Sequence, residues 1–91
     1  MKENKNSDHN FSESFNDVNQ SRLVLYNDDI NTFQFVIDAL IEHCNFDELQ
    51  AEQLATLAHF KGKAVIKTGQ YILLQVLKDE FNSIGLTVEI E

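Results

Sequence analysis

Phe33, Val36, Ile37, Leu40, Ile41 and Cys44 recur at i, i+3, i+4, i+7, i+8 and i+11. That spacing lines one side of a helix, so the segment predicts an amphipathic helix whose single apolar stripe must be covered by another layer. The end of the chain supplies a different period. Leu86–Glu91 (LTVEIE) alternates, with Leu86, Val88 and Ile90 on one face and Thr87, Glu89 and Glu91 on the other, the pattern of a strand with one buried face. Both signals within 91 residues predict one small α+β domain, with no room for a second.

The remaining elements are read from their punctuation. Arg22–Tyr26 (RLVLY) is a β-rich run halted by Asn27-Asp28-Asp29, residues that favour turns. Asn31 stands where the first helix would be capped, and Gln34 three residues later completes a capping box. A second helix is expected after Asp47, with Gln50 as its capping-box partner and Phe46 as a hydrophobic staple. Its apolar face is narrow, drawn from Ala51, Leu54, Ala55, Leu57 and Ala58, and Lys61-Gly62 reads as its last turn and left-handed cap. Lys63–Lys67 (KAVIK) predicts a strand and Thr68-Gly69 a turn. Tyr71, Leu74, Leu77, Phe81 and Ile84 outline a third helix ending at Gly85.

The expected order is β-α-α-β-α-β, a small three-stranded, mainly antiparallel sheet covered by three helices. Residues 1–20 are mostly Asn, Ser, Asp, Glu and Lys, with little to bury. They predict a disordered N-terminal extension ahead of a domain over 21–91.

Charge narrows the partners. Seven Lys and Arg against 15 Asp and Glu leave a net charge of −8, which excludes a phosphate-tracking nucleic-acid binder. No apolar run is long enough to span a bilayer, and the N-terminus carries no secretory signal, which predicts a cytoplasmic protein without a membrane partner. Cys44 is the sole cysteine, so an internal disulfide or multi-thiolate metal site is excluded. His43 and Cys44 are adjacent on a helix and project about 100° apart, a poor basis for metal binding.

From Leu23 to Phe60 there is no Lys or Arg, while Asp28 and Asp29 sit between a strand and a helix start, where loops commonly carry function. His59 lies near the end of the second helix, on or beside its apolar face. An acid/base pair of Asp28 and His59 would have no Ser or Cys nucleophile in a recognisable motif beside it, so neither an enzyme nor a cofactor is expected. The residues alone describe an acidic α+β binding domain for a cationic partner.

Two blocks add to that reading. LYNDDINTFQFVIDAL, followed by QLATLAHFKGKAVI, resembles the ClpS family, adaptors that deliver N-degron proteins to a Clp AAA+ unfoldase and its peptidase. The similarity runs from about Leu23 to Ile66 and continues more weakly to Glu91. It implies a small sheet covered by three helices, and a monomeric adaptor whose partners are N-degron substrate proteins and the N-terminal domain of a Clp unfoldase. It also implies residue roles. Asn27, Asp28 and His59 would clamp the free α-amino group of a substrate. Asp29 and Asn31 would shape the loop and meet the first peptide backbone. Phe33, Val36, Ala55, Ala58 and Leu86 would form the pocket for a large hydrophobic first side chain.

The chemistry suits those roles. An α-ammonium, with a pKa of about 7.7–8.0, is mainly a cation near neutral pH and exists only at a chain terminus. A carboxylate and an amide oxygen can accept its protons in charge-assisted hydrogen bonds. The chain departs from the family pattern at Ala55, where a bulky Met is common, which predicts a wider pocket. Ile72 and Leu77 also fall near positions where the family carries a Glu and a Lys that help dock the unfoldase.

Overall fold

The computed structural model describes residues 20–91, so the extension expected over 1–20 lies outside the described residues except for Gln20, which belongs to a strand. The elements run β1 (Gln20–Tyr26), α1 (Phe33–Cys44), α2 (Glu48–Lys61), β2 (Lys63–Gln70), α3 (Tyr71–Ser83) and β3 (Val88–Ile90). This is the order read from the sequence. The sheet order is β2-β1-β3 with both pairings antiparallel, so the first strand lies in the middle.

The middle strand is paired along both edges, and β1 carries Leu23, Val24 and Leu25 in succession, all buried. Leu23 and Leu25 face the helices as part of the main core; Val24 lies opposite Val65 and Glu89 on the neighbouring strands. A register irregularity between Leu23 and Val24 bends the pairing with β2. From the helix side, Ile37 and Leu40 of α1, Ala51, Ala55 and Ala58 of α2, and Leu74 and Phe81 of α3 complete the core. Three alanines on the buried face of α2 let its backbone approach closely, while Phe81, Leu40 and Leu74 are the largest fully buried side chains that the helices supply.

Several details differ from expectation. Thr68 and Gly69 do not turn; they continue β2, opposite Arg22 and Ser21, because pairing with a strand more than 40 positions away satisfies their backbone. The chain turns directly into α3 after Gln70. β3 is shorter than the alternating run, since only Val88–Ile90 pair with Leu23–Leu25. Leu57 and Tyr71, expected on buried helix faces, are exposed at 43% and 57%.

The caps also divide. Asp47 and Gln50 form the expected capping box, and Gly62 closes α2 in the left-handed region with φ 94°. At α1, however, the cap is Thr32, whose hydroxyl accepts from Phe35 N at 3.1 Å. Asn31 is one residue too early, and its side chain is engaged by Asp28 and Gly85. Gln34 reaches Asp38 on the helix surface instead of closing a capping box.

Candidate functional site

The loop between β1 and α1 is built around one carboxylate. Asp28 Oδ1 accepts from Ile30 N at 3.0 Å and from Asn31 N at 2.9 Å, an Asx-type turn that the side chain closes on its own backbone. Asp28 Oδ2 accepts from Asn31 Nδ2 at 2.9 Å and from Thr87 Oγ1 at 3.3 Å. Burial pushes the Asp28 carboxyl up, but these hydrogen bonds from Asn31, Ile30 and Thr87 together outweigh it. The group is held below the usual carboxylate value and is ionised at neutral pH.

Backbone contacts place this loop beside the end of α2. Asn27 N donates to Gly62 O at 2.9 Å, and Gly62 N donates to Ala58 O at 2.9 Å. The last turn of α2, which carries His59, is thereby held next to Asn27 and Asp28. His59 is exposed, and its ring meets Phe60 edge-to-face at a centroid distance of 4.9 Å.

Between these parts lies a cavity of about 300 Å³ lined by Leu25, Tyr26, Asn27, Asp28, Asp29, Asn31, Phe33, Val36, Ala58, His59 and Leu86. Its polar groups come from the loop and His59, and its apolar surface from Phe33, Val36, Ala58, Leu86 and Leu25. A lining that combines a carboxylate and other polar groups with apolar side chains suits a small amphiphilic group bearing a cation.

Of the ten positions singled out in the sequence, Asn27, Asp28, Asp29, Asn31, Phe33, Val36, Ala58, His59 and Leu86 line this cavity. Ala55 does not. It is 3% exposed and belongs to the core, one turn before Ala58 on the same helix face. Leu25 and Tyr26 line it without having been expected, although both directly precede Asn27 and the alternation of β1 could have marked one of them. Thr87 was missed for a different reason: its partner Asp28 is 59 positions away and no local pattern links them.

Lys63 lies near the cavity wall, 5.8 Å from the centre of the Tyr26 ring, and its ammonium is 3.9 Å from Glu91. No group of three metal-ligating side chains occurs among the described residues, and no helix among them is long and apolar enough to cross a membrane.

Comparison with known proteins places the chain. Residues 16–89 match the family described as ATP-dependent Clp protease adaptor protein ClpS. The ClpS adapter proteins of Escherichia coli O1:K1 / APEC and Cronobacter sakazakii are each 39% identical over 44 residues, 48% of this chain and 42% of theirs. The matched segment thus spans less than half the length of those relatives. The structure of Agrobacterium tumefaciens ClpS2 bound to L-phenylalaninamide has the same fold, with a TM-score of 0.71 at 22% identity, over 80% of this chain and 95% of that one. With the family match extending over most of its length, the chain belongs to the ClpS adaptor family.

Proposed function

We propose that this protein is a non-enzymatic adaptor that binds proteins with a large hydrophobic N-terminal residue and delivers them to a Clp-type ATP-dependent protease. The observation that carries this reading is the position of Asp28, an ionised carboxylate in the wall of a cavity that is also lined by apolar side chains. Asn27 offers an amide oxygen and His59 a ring nitrogen beside it, groups able to accept from the protons of an α-ammonium. Phe33, Val36, Ala58 and Leu86 are placed to take the first side chain. Family membership supports the delivery step, and ligand-bound ClpS2 supports the choice of a phenylalanine-like group.

Requiring both a free ammonium and an apolar side chain distinguishes a chain terminus from every internal residue, because internal residues present an amide in place of the amine. The test is binding of peptides that begin with Phe or Leu, compared with N-acetylated copies and with a peptide that begins with Asp. Binding confined to the free-amine Phe and Leu peptides is expected; equal binding of the acetylated copies overturns the reading. Addition of the protein to a reconstituted Clp protease should then accelerate degradation of a Phe-initiated substrate.

One observation favours a second reading, a paralogue that regulates a Clp unfoldase without recognising N-degrons. Ile72 is 68% exposed and Leu77 is half-buried against the core, at positions where the sequence departs from the family's charged residues. Failure of every free-amine peptide to bind, together with an effect on unfoldase activity, would select it.

A further inference from the structure

We infer that Thr87 is a positioning residue: its hydroxyl ties the Asp28 carboxylate to the sheet and so orients it at the cavity. Its link to ligand binding rests on the amine-clamp reading above, whereas its hold on the carboxylate is independent of any ligand.

Four donors meet Asp28, and they are not equivalent. Ile30 N, Asn31 N and Asn31 Nδ2 all lie within three residues of the carboxylate and travel with the loop if it moves. Thr87 Oγ1 comes from the segment that leads into β3, and its own backbone is fixed: Thr87 O accepts from Tyr26 N at 2.9 Å. The hydroxyl therefore refers the carboxylate to the sheet. Asn31 Nδ2 provides the companion tie, since it also donates to Gly85 O at 2.8 Å. Gly85, Leu86 and Thr87 form a bracket in which the outer two residues hold the loop and the middle one lines the cavity.

Thr87 itself is absent from the cavity lining. The lining residue that its hydroxyl bonds is Asp28, which is the route from Thr87 to a bound ligand. A carboxylate tied to the sheet as well as to its own loop keeps its orientation before the ligand arrives. Tyr26, Asp29 and His59 are the other titratable groups in the lining, and Thr87→Val leaves all three in place.

The experiment compares wild type, Thr87→Val and Thr87→Ser. Valine keeps the β-branched shape and the backbone carbonyl bond to Tyr26, whereas serine keeps the hydroxyl. The titration of Asp28 is followed through its carboxyl carbon NMR shift in the ligand-free protein, and binding of a Phe-initiated peptide is measured at neutral pH. In Thr87→Val the Asp28 pKa should rise and the peptide Kd should weaken by roughly three- to tenfold, the range for loss of one supporting hydrogen bond. Thr87→Ser should restore both. An unchanged Asp28 titration in Thr87→Val overturns the inference, as does a raised pKa with undiminished peptide binding. If wild type binds no free-amine peptide, the functional reading fails, and the titration alone decides whether Thr87 holds Asp28.

Discussion

Asn31 Nδ2 lies 2.8 Å from the carbonyl oxygen of Gly85 and 2.9 Å from Asp28 Oδ2, so one side-chain amide joins the β1–α1 loop to a turn 54 residues further on. Gly85 itself has φ 96°, a conformation that favours glycine and aims its carbonyl at Asn31. The cavity wall is consequently closed by a contact between two loops, neither of which has regular secondary structure at that point.

The first prediction separates Asn31 from its neighbour Thr32. Thr32→Ala removes the α1 cap and should lower unfolding free energy by about 1 kcal/mol while leaving peptide affinity almost unchanged. Asn31→Ala should do the reverse in emphasis, weakening peptide binding more than Thr32→Ala does, because it releases Asp28 and Gly85 together. Chemical denaturation and peptide titration of both variants check this. Equal effects of the two substitutions on binding would show that the bonds from Asn31 to Asp28 and Gly85 do not support the cavity.

Asp28→Ala should abolish measurable binding of a Phe-initiated peptide. Truncating one partner of a desolvated charge pair typically costs about 2–5 kcal/mol. Because Asp28 also closes the turn on Ile30 N and Asn31 N, Asp28→Asn is the better-controlled variant: it keeps an acceptor oxygen and removes the charge. Isothermal calorimetry on both variants should show the loss in each; retention of wild-type affinity in Asp28→Asn would remove the carboxylate from the clamp.

The pH dependence has two arms with opposite causes. The folded-state pKa of Asp28 is depressed, so its contribution to stability is fully present above the ordinary aspartate value of about 3.9 and disappears as pH falls through the folded value. Asp28→Asn should therefore lose less stability than wild type over that acid range, measured as Tm against pH. Peptide binding should fade on the same acid side. On the alkaline side it should decline above about pH 8, where the α-ammonium loses its proton. A peptide affinity that stays constant from pH 7 to pH 10 would contradict recognition of the ammonium form.

Ala55→Met should act on stability before it acts on selectivity. Three added heavy atoms at a site that is 3% exposed overpack the core, which typically costs about 1–3 kcal/mol. Thermal melts should register that loss, and the ratio of Leu- to Ile-initiated peptide affinities should stay close to wild type. A changed ratio at unchanged Tm would instead place the residue 55 side chain in the cavity.

Much of this protein is legible in its residues because much of it is local. The stripe from Phe33 to Cys44, the Asp47–Gln50 capping box, the Gly62 stop and the alternation through Val88 are each dictated within one or two turns of chain, by periods and hydrogen bonds that need no distant partner. What only the tertiary structure decided involves pairs far apart in sequence. Pairing with β1 drew Thr68 and Gly69 into a strand although their residue types favour a turn. The approach of Gly85 and Asp28 took Asn31 away from the helix it was expected to cap, and left that role to Thr32. Packing of α2 turned Ala55 into the core, and the bond from Thr87 to Asp28 spans 59 positions. A polar side chain takes whichever partner the folded chain brings within about 3 Å, and sequence spacing carries no information about such distances.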